Sequence, residues 1–199
     1  MYFPTVDNIY IKAIHNGDEI AIKLYWDDPT YDPILATLTK VKESPPPPLP
    51  EHLRTNEPPM EMSPTQPEPQ EFPDAIAIQF PVSLDGNSQK PYFLNGDSQH
   101  PVNLWKWESG SNKTFEMNAT GLSQWRVQPD ENQQVTSESA YRYGRYFLVM
   151  KRKLTTTGKN DSQLLPGNKI PIAFNVWDGT QGENGTKKAI SSWFEMALE

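Results

Sequence analysis

Apolar and polar residues alternate along one segment after another of this chain, and a period of two is the mark of half-buried strands. Ile9, Ile11 and Ala13 fall on one face of an opening strand, and Ile20, Ile22, Leu24 and Trp26 share a face of the next. Between them, Asn16-Gly17 supplies the positive-φ turn of a tight hairpin. The pattern returns in residues 74–81 (Ile76, Ile78, Phe80), in 145–154 (Tyr146, Leu148, Met150) and in the segment ending at Trp177 (Ile170, Ile172, Phe174, Val176). A last strand over 188–198 groups Ile190, Phe194, Met196 and Leu198. Helical periodicity is weak: only 137–146 and 34–43 would make short helices. Short strands between Gly, Pro and Asn turns predict an all-β chain, an antiparallel β-sandwich with little helix.

Residues 45–73 break the rhythm, holding eleven of the twenty prolines and opening with Pro45-Pro46-Pro47-Pro48. Proline cannot donate to a strand ladder, and the stretch has few apolar residues to bury. It reads as a solvated proline-rich insertion in a single domain over 1–199, or as an arm that lies along a partner subunit. The net charge of −7 argues against a nucleic-acid partner, which needs a basic surface. No run is long and apolar enough for a membrane helix, and Met1-Tyr2-Phe3-Pro4 has neither the basic start nor the apolar stretch of a signal peptide. With no cysteine, disulfides, iron–sulfur clusters and covalent c-type haem are excluded together.

Nothing in the chain points to independent catalysis. His15, His52 and His100 do not pair at metal-ligand spacing, and no phosphate loop or nucleophile elbow occurs. Asp27-Asp28 and Asp178 sit near strand ends, where carboxylates ordinarily cap turns. The tryptophans say more. Trp105 and Trp107 are two apart and face the same side of a strand, and Trp26, Trp125, Trp177 and Trp193 add to a heavy indole load. Such rings pack a core, wall a flat apolar cavity, or form a surface platform for sugars.

The order of four motifs carries a resemblance. Asp-Ala-Ile-Ala-Ile-Gln-Phe-Pro spans 74–81, and Phe93-Leu94-Asn95-Gly96-Asp97 leads to Pro101-Val102-Asn103-Leu104-Trp105-Lys106-Trp107. Phe174-Asn175-Val176-Trp177-Asp178-Gly179 follows, and Lys188-Ala189-Ile190-Ser191-Ser192-Trp193 comes last. Together they resemble the haem-binding gamma subunit of the ethylbenzene dehydrogenase type, found in dimethyl sulfide, selenate, chlorate and nitrite-oxidising molybdenum enzymes. The similarity to nitrite oxidoreductases is the most pronounced. The resemblance runs from about residue 8 to the end, with the proline-rich stretch as an outlier.

It implies one non-covalent haem b, held in a β-sandwich between a methionine and a lysine. The lysine corresponds to Lys188, placed by strand parity on the inward face with Ile190, Phe194 and Met196; Lys187 faces the other way. A lysine ligates iron only as the neutral amine, so an apolar setting is required. The methionine position is Asn95, preceded by Leu94, and neither is an ordinary haem ligand. Three outcomes are open: a five-coordinate iron on Lys188, a substitution by His100, or a scaffold without haem. Trp105 and Trp107 are expected to wall the cofactor. In the basic group Arg142, Arg145, Lys151, Arg152 and Lys153, Arg152 or Arg145 would pair with propionates, while Lys151 and Lys153 face solvent. The sequons at Asn112, Asn118, Asn160 and Asn184 mark exposed loops.

The implied function is an electron relay in the periplasm or an equivalent compartment. It would dock on the iron–sulfur and molybdenum subunits of an oxidoreductase and exchange electrons with a soluble cytochrome c. The alternative is a haem-free β-sandwich that binds carbohydrate or a protein partner.

Overall fold

The computed structural model describes residues 6–31, 72–83 and 89–199. The proline-rich stretch up to residue 71, His52 and the segment 34–43 lie outside them. The described residues form two antiparallel sheets and one short 3-10 turn, Asp130–Asn132, with no α-helix. The smaller sheet orders its strands β1 (Ile9–His15), β2 (Glu19–Asp27), β8 (Arg145–Lys153) and β7 (Thr136–Tyr141). The larger runs β10 (Ala189–Ile190), β9 (Lys169–Trp177), β3 (Ala75–Pro81), β4 (Val102–Glu108), β5 (Lys113–Ala119) and β6 (Trp125–Val127), with β11 (Phe194–Ala197) also paired to β9. This is the expected all-β sandwich. Residues 137–146 are hairpin rather than helix, because β7 pairs Tyr141 with Tyr146 of β8.

The alternation decides what lies between the sheets. Ile20, Ile22, Leu24 and Trp26 of β2, with Tyr146, Leu148 and Met150 of β8, pack against Ile76, Ile78 and Phe80 of β3 and Ile170, Ile172, Phe174 and Val176 of β9. Trp26 stacks on Tyr146 at 5.1 Å between ring centroids, and Trp107 meets the same ring edge-on at 5.5 Å. The Tyr146 hydroxyl ends the aromatic group by donating to Asp74 Oδ2 at 2.7 Å.

The larger sheet is also covered on its outer face. All seven residues of β3 are buried, and its other set, Ala75, Ala77 and Gln79, belongs to a second layer made by side chains of the sheet's own outer face. That layer includes Val102, Leu104, Met117, Ala119 and Trp177, with Trp125 and Trp193 packed against it. The 178–188 loop is held to the sheet where Gly179 N donates to Asp74 Oδ1 at 2.9 Å. A Cβ at position 179 would lie 1.7 Å from the Phe72 carbonyl oxygen, so only glycine allows this approach.

Two expectations change here. The final strand is interrupted: the Ser191 hydroxyl accepts the Phe174 N–H at 2.9 Å, and pairing resumes only at Phe194. The interruption uncouples the two halves, so Lys188 does not share a face with Phe194 and Met196. Phe194 is exposed, and Met196 packs against the inter-sheet core. The register of β10 puts Ala189 opposite the inward-facing Val176, which turns Lys188 outward, toward the second layer. The second change concerns Asn118, which lies half-buried within β5 rather than in an exposed loop. Asn112, Asn160 and Asn184 are exposed.

Candidate cofactor site on the outer face of the large sheet

The outer face gathers residues from five elements of the chain. β3 presents Gln79. β4 and β9 place Lys106 and Asn175 on either side of Ala77, since both are its register partners. The 89–101 loop brings Asn95 down onto this surface, and the start of β10 brings Lys188. Asn95 holds a left-handed backbone, φ 67°, which asparagine tolerates better than most residues. The next residue must be glycine: Gly96 has φ 76°, and a Cβ there would sit 2.7 Å from the His100 carbonyl oxygen. Trp193 pins the loop by donating to the Pro91 carbonyl at 2.8 Å.

Lys188 and Asn95 meet. Lys188 is 7% exposed, Asn95 is fully buried, and the lysine amine donates to Asn95 Oδ1 at 2.6 Å. Asn95 Nδ2 donates in turn to Gln79 Oε1 at 2.7 Å and to Asn175 Oδ1 at 3.1 Å. Indoles wall the amine, with the Trp125 and Trp177 ring centroids 3.9 and 4.8 Å from its nitrogen. These two rings pack edge to face at 5.6 Å. Burial first, and the nearby Lys106 ammonium second, together push the Lys188 amine down to about 6. Ring faces favour a cation, but lost hydration outweighs that attraction here, and at neutral pH the group is an amine with a free lone pair.

This has a consequence for stability. An unfolded lysine keeps its proton to about pH 10.4, whereas the folded site releases it near 6. Between those limits the unfolded state binds more protons, so the stability of the haem-free protein should rise with pH across that window. Urea unfolding midpoints between pH 6.5 and 9 measure the slope. Lys188→Met should flatten it, even though it also leaves Asn95 Oδ1 without a donor at every pH. An unchanged slope would mean that Lys188 titrates normally.

Other residues expected at the site lie elsewhere. Trp105 and Trp107 do share a face, but it is the inter-sheet face, with the full thickness of the sheet between them and Lys188. Arg152 is buried against Glu116, with Nη1–Oε1 at 2.6 Å, and also donates to Asn103 and the Ser162 carbonyl. Its guanidinium lies over Trp105, 4.8 Å from the ring centroid. It is therefore committed inside the sandwich, and Arg145 is exposed and paired with Asp27. His100 is half-buried and turned toward Asp97, Nδ1 to Oδ1 3.1 Å. Leu94 is half-buried beside Asn95. Lys187 is exposed and donates to the Gln181 carbonyl. His15, half-buried at its hairpin, bonds the Glu199 carbonyl at 2.7 Å.

Gln79, Asn175 and Lys106 are the site residues that the sequence reading does not single out, while Trp125 and Trp177 enter it only among the indoles that could wall a cavity. A signal exists for two of them. Gln79 and Asn175 interrupt otherwise apolar strands, Ala-Ile-Ala-Ile-Gln-Phe and Ile-Ala-Phe-Asn-Val-Trp, and a polar side chain inside such a strand must find a buried partner. A sugar platform has little footing among the indoles: Trp26, Trp105, Trp107 and Trp177 are buried, and Trp125 and Trp193 are half-buried.

The chain is similar in sequence to several known proteins. A protein of Haloferax mediterranei that bears the provisional name respiratory nitrate reductase heme subunit ORF7 is 32% identical over 64% of this chain and 44% of its own. The dimethylsulfide dehydrogenase subunit gamma of Rhodovulum sulfidophilum is 30% identical over 60% of this chain and 45% of its own. The chlorate reductase subunit gamma of Ideonella dechloratans is 28% identical over 63% of this chain and 51% of its own. The chain thus spans about half the length of the curated relatives it matches. The ethylbenzene dehydrogenase family model matches residues 4–133 and 114–189, and the chain belongs to that family.

Proposed function

We propose that this chain is the electron-transfer subunit of a molybdenum oxidoreductase complex and holds one haem b at Lys188. The observation that carries the reading is a buried lysine, kept neutral by its surroundings, that meets Asn95 of the 89–101 loop at 2.6 Å. Aliphatic burial alone would exclude a lysine from such a place, and structural lysines usually extend their ammonium into water. The names of the relatives, one a heme subunit and two gamma subunits, support the same role.

By donor type this pair suits a haem iron, but the two atoms touch at 2.6 Å and would have to separate to admit one. Lys188 offers a nitrogen lone pair beside the Trp125 and Trp177 rings, and Asn95 an amide oxygen, both out of water. Bound haem would supply a one-electron couple; the protein orients its ligands and excludes water. As partners we propose the iron–sulfur and molybdenum subunits of a nitrite oxidoreductase-like complex and a soluble cytochrome c, in an extracytoplasmic compartment. That assignment follows the sequence resemblance.

Titration of the purified chain with haemin tests the reading. A Soret band that shifts on dithionite reduction, with a b-type pyridine haemochrome, is expected. A protein that remains colourless after titration, in the parent and in Asn95→Met alike, would return the chain to the haem-free interaction module.

A further inference from the structure

We propose that the open edge of β1 is a docking site for an extended segment of a partner protein. That segment pairs with β1 and alternates its side chains, apolar ones turned into the groove beneath and acidic ones set beside Lys12 and Lys23. The site makes no use of haem, so its failure and the failure of the haem reading are independent.

The inter-sheet core stops abruptly at β1. Leu24 of β2 is fully buried, whereas Ile11, its register partner on the same face, is 40% exposed. Beneath β1 runs a groove of about 710 Å³, with Ile9, Ile11 and Ala13 on one wall and Phe174, Val176 and Ile190 on the other. Protein interiors hold few voids larger than a water molecule, so an apolar space of this size between two sheets gains by being covered. Among the described residues, no strand pairs with β1 on its far side.

The backbone opens outward at the same residues. In an antiparallel ladder every second residue of an edge strand turns its N–H and C=O away from its neighbour. Asn16 N donates to the Glu19 carbonyl at 3.2 Å, and Leu154 N to the Asp18 carbonyl at 2.8 Å, which fixes the phase of both ladders that β2 makes. Tyr10, Lys12 and Ile14 therefore bond β2, while Ile9, Ile11 and Ala13 direct their backbone groups to the open edge. An added strand meets main-chain partners and the apolar groove at one set of positions.

Charge selects the occupant. The register sets Lys12 directly opposite Lys23 on the outer face of the small sheet, which is unfavourable without a counter-charge. Arg145 and Lys151 on that face hold Asp27 and Glu19. Among the described residues, no carboxylate pairs with Lys12 or Lys23. A second copy, docked antiparallel about the middle of β1, would bring its own Lys12 against this one and deepen the repulsion. A glutamate or aspartate on the added strand relieves it. Asp7 and Glu195 also line the groove, but on the side where the segment presents apolar groups.

A fluorescein-labelled peptide as long as β1, valine alternating with glutamate, tests the site by anisotropy and residue-resolved amide exchange. It should bind the full chain and slow exchange at Ile9, Ile11 and Ala13 by more than about tenfold. Tyr10, Lys12 and Ile14, already bonded to β2, should change little. A valine–lysine peptide should bind the parent poorly. Lys12→Glu should weaken binding of the glutamate peptide by about fivefold and shift the preference to the lysine one. Ala13→Pro removes an edge-facing N–H and no ladder bond, so it should abolish binding. Should that variant fail to fold, Lys12→Glu, at an exposed position, still decides.

Three results would overturn the proposal. No binding, or binding that leaves the Ile9, Ile11 and Ala13 amides unprotected, rules out strand addition at this edge. Protection of those amides without peptide, growing with protein concentration, makes the occupant a second copy. Protection in the free chain that is independent of dilution means that the chain covers the edge itself.

Discussion

Arg152→Ala is expected to destabilise the fold by about 3–5 kcal/mol, the range found when one partner of a buried ion pair is removed. Neither side chain of the Arg152–Glu116 pair has any exposure. With arginine gone, Glu116 would be a carboxylate in the sandwich interior, keeping only neutral donors such as the Gln134 N–H at 3.2 Å. Burial already pushes the Glu116 carboxyl up, against the pull of Arg152. In the variant it should take a proton more readily still, so the loss should shrink as pH falls and the neutral acid becomes the resting form. Joint replacement by Arg152→Met and Glu116→Leu should recover most of the stability, because the expense lies in the orphaned charge. Urea midpoints for the two single variants and the double variant decide this; a single-variant loss below about 1 kcal/mol would match a surface pair instead. Haem affinity should be unaffected wherever the variant is folded, since the guanidinium is already spent on Glu116, Asn103 and the Ser162 carbonyl. A loss of affinity would restore it as a propionate partner.

The same residue shows what alternation can and cannot tell. Parity put Arg152 inward and Lys151 and Lys153 outward, as the structure has them. It likewise grouped Ile20, Ile22, Leu24 and Trp26, because the small sheet buries one face and wets the other. On the large sheet that reasoning falls short. β3 is buried on both faces, so a period of two identifies which residues lie together but not which group faces the site. For this reason the pattern groups Trp105 with Trp107 but does not show that both line the inter-sheet core and not the Lys188 side. Lys188 was misdirected by a different cause: a serine inside an apparent strand gives no warning that its hydroxyl will replace a ladder bond and break the register. Motif resemblance did select Lys188 and Asn95, 93 positions apart and in contact. The polar pair behind Asn95 stayed hidden because it is assembled only when β3 and β9 lie side by side.

Lys188→Ala should weaken haem binding by more than about 100-fold, or leave residual haem in a high-spin ferric state. Loss of a mere outer-shell partner already costs 10–100-fold at metal sites, and Lys188 would be a direct ligand. Lys187→Ala should change nothing, because that side chain is exposed and turned to the Gln181 carbonyl rather than to Asn95. The contrast between neighbours controls for any general effect of removing a positive charge from this loop. Proton competition gives a second handle. Only the free amine can bind iron, so haem affinity in the parent should fall as pH drops through and below about 6, where the unliganded lysine takes its proton. Bound iron pulls that transition to lower pH, because metal and proton compete for one lone pair. Absorbance titrations across pH 5–8 measure both effects. If Lys188→Ala matches the parent in affinity and spectrum, the buried amine is only an element of the second core, and its neutrality must be explained by packing among Trp125, Trp177 and Asn95 alone.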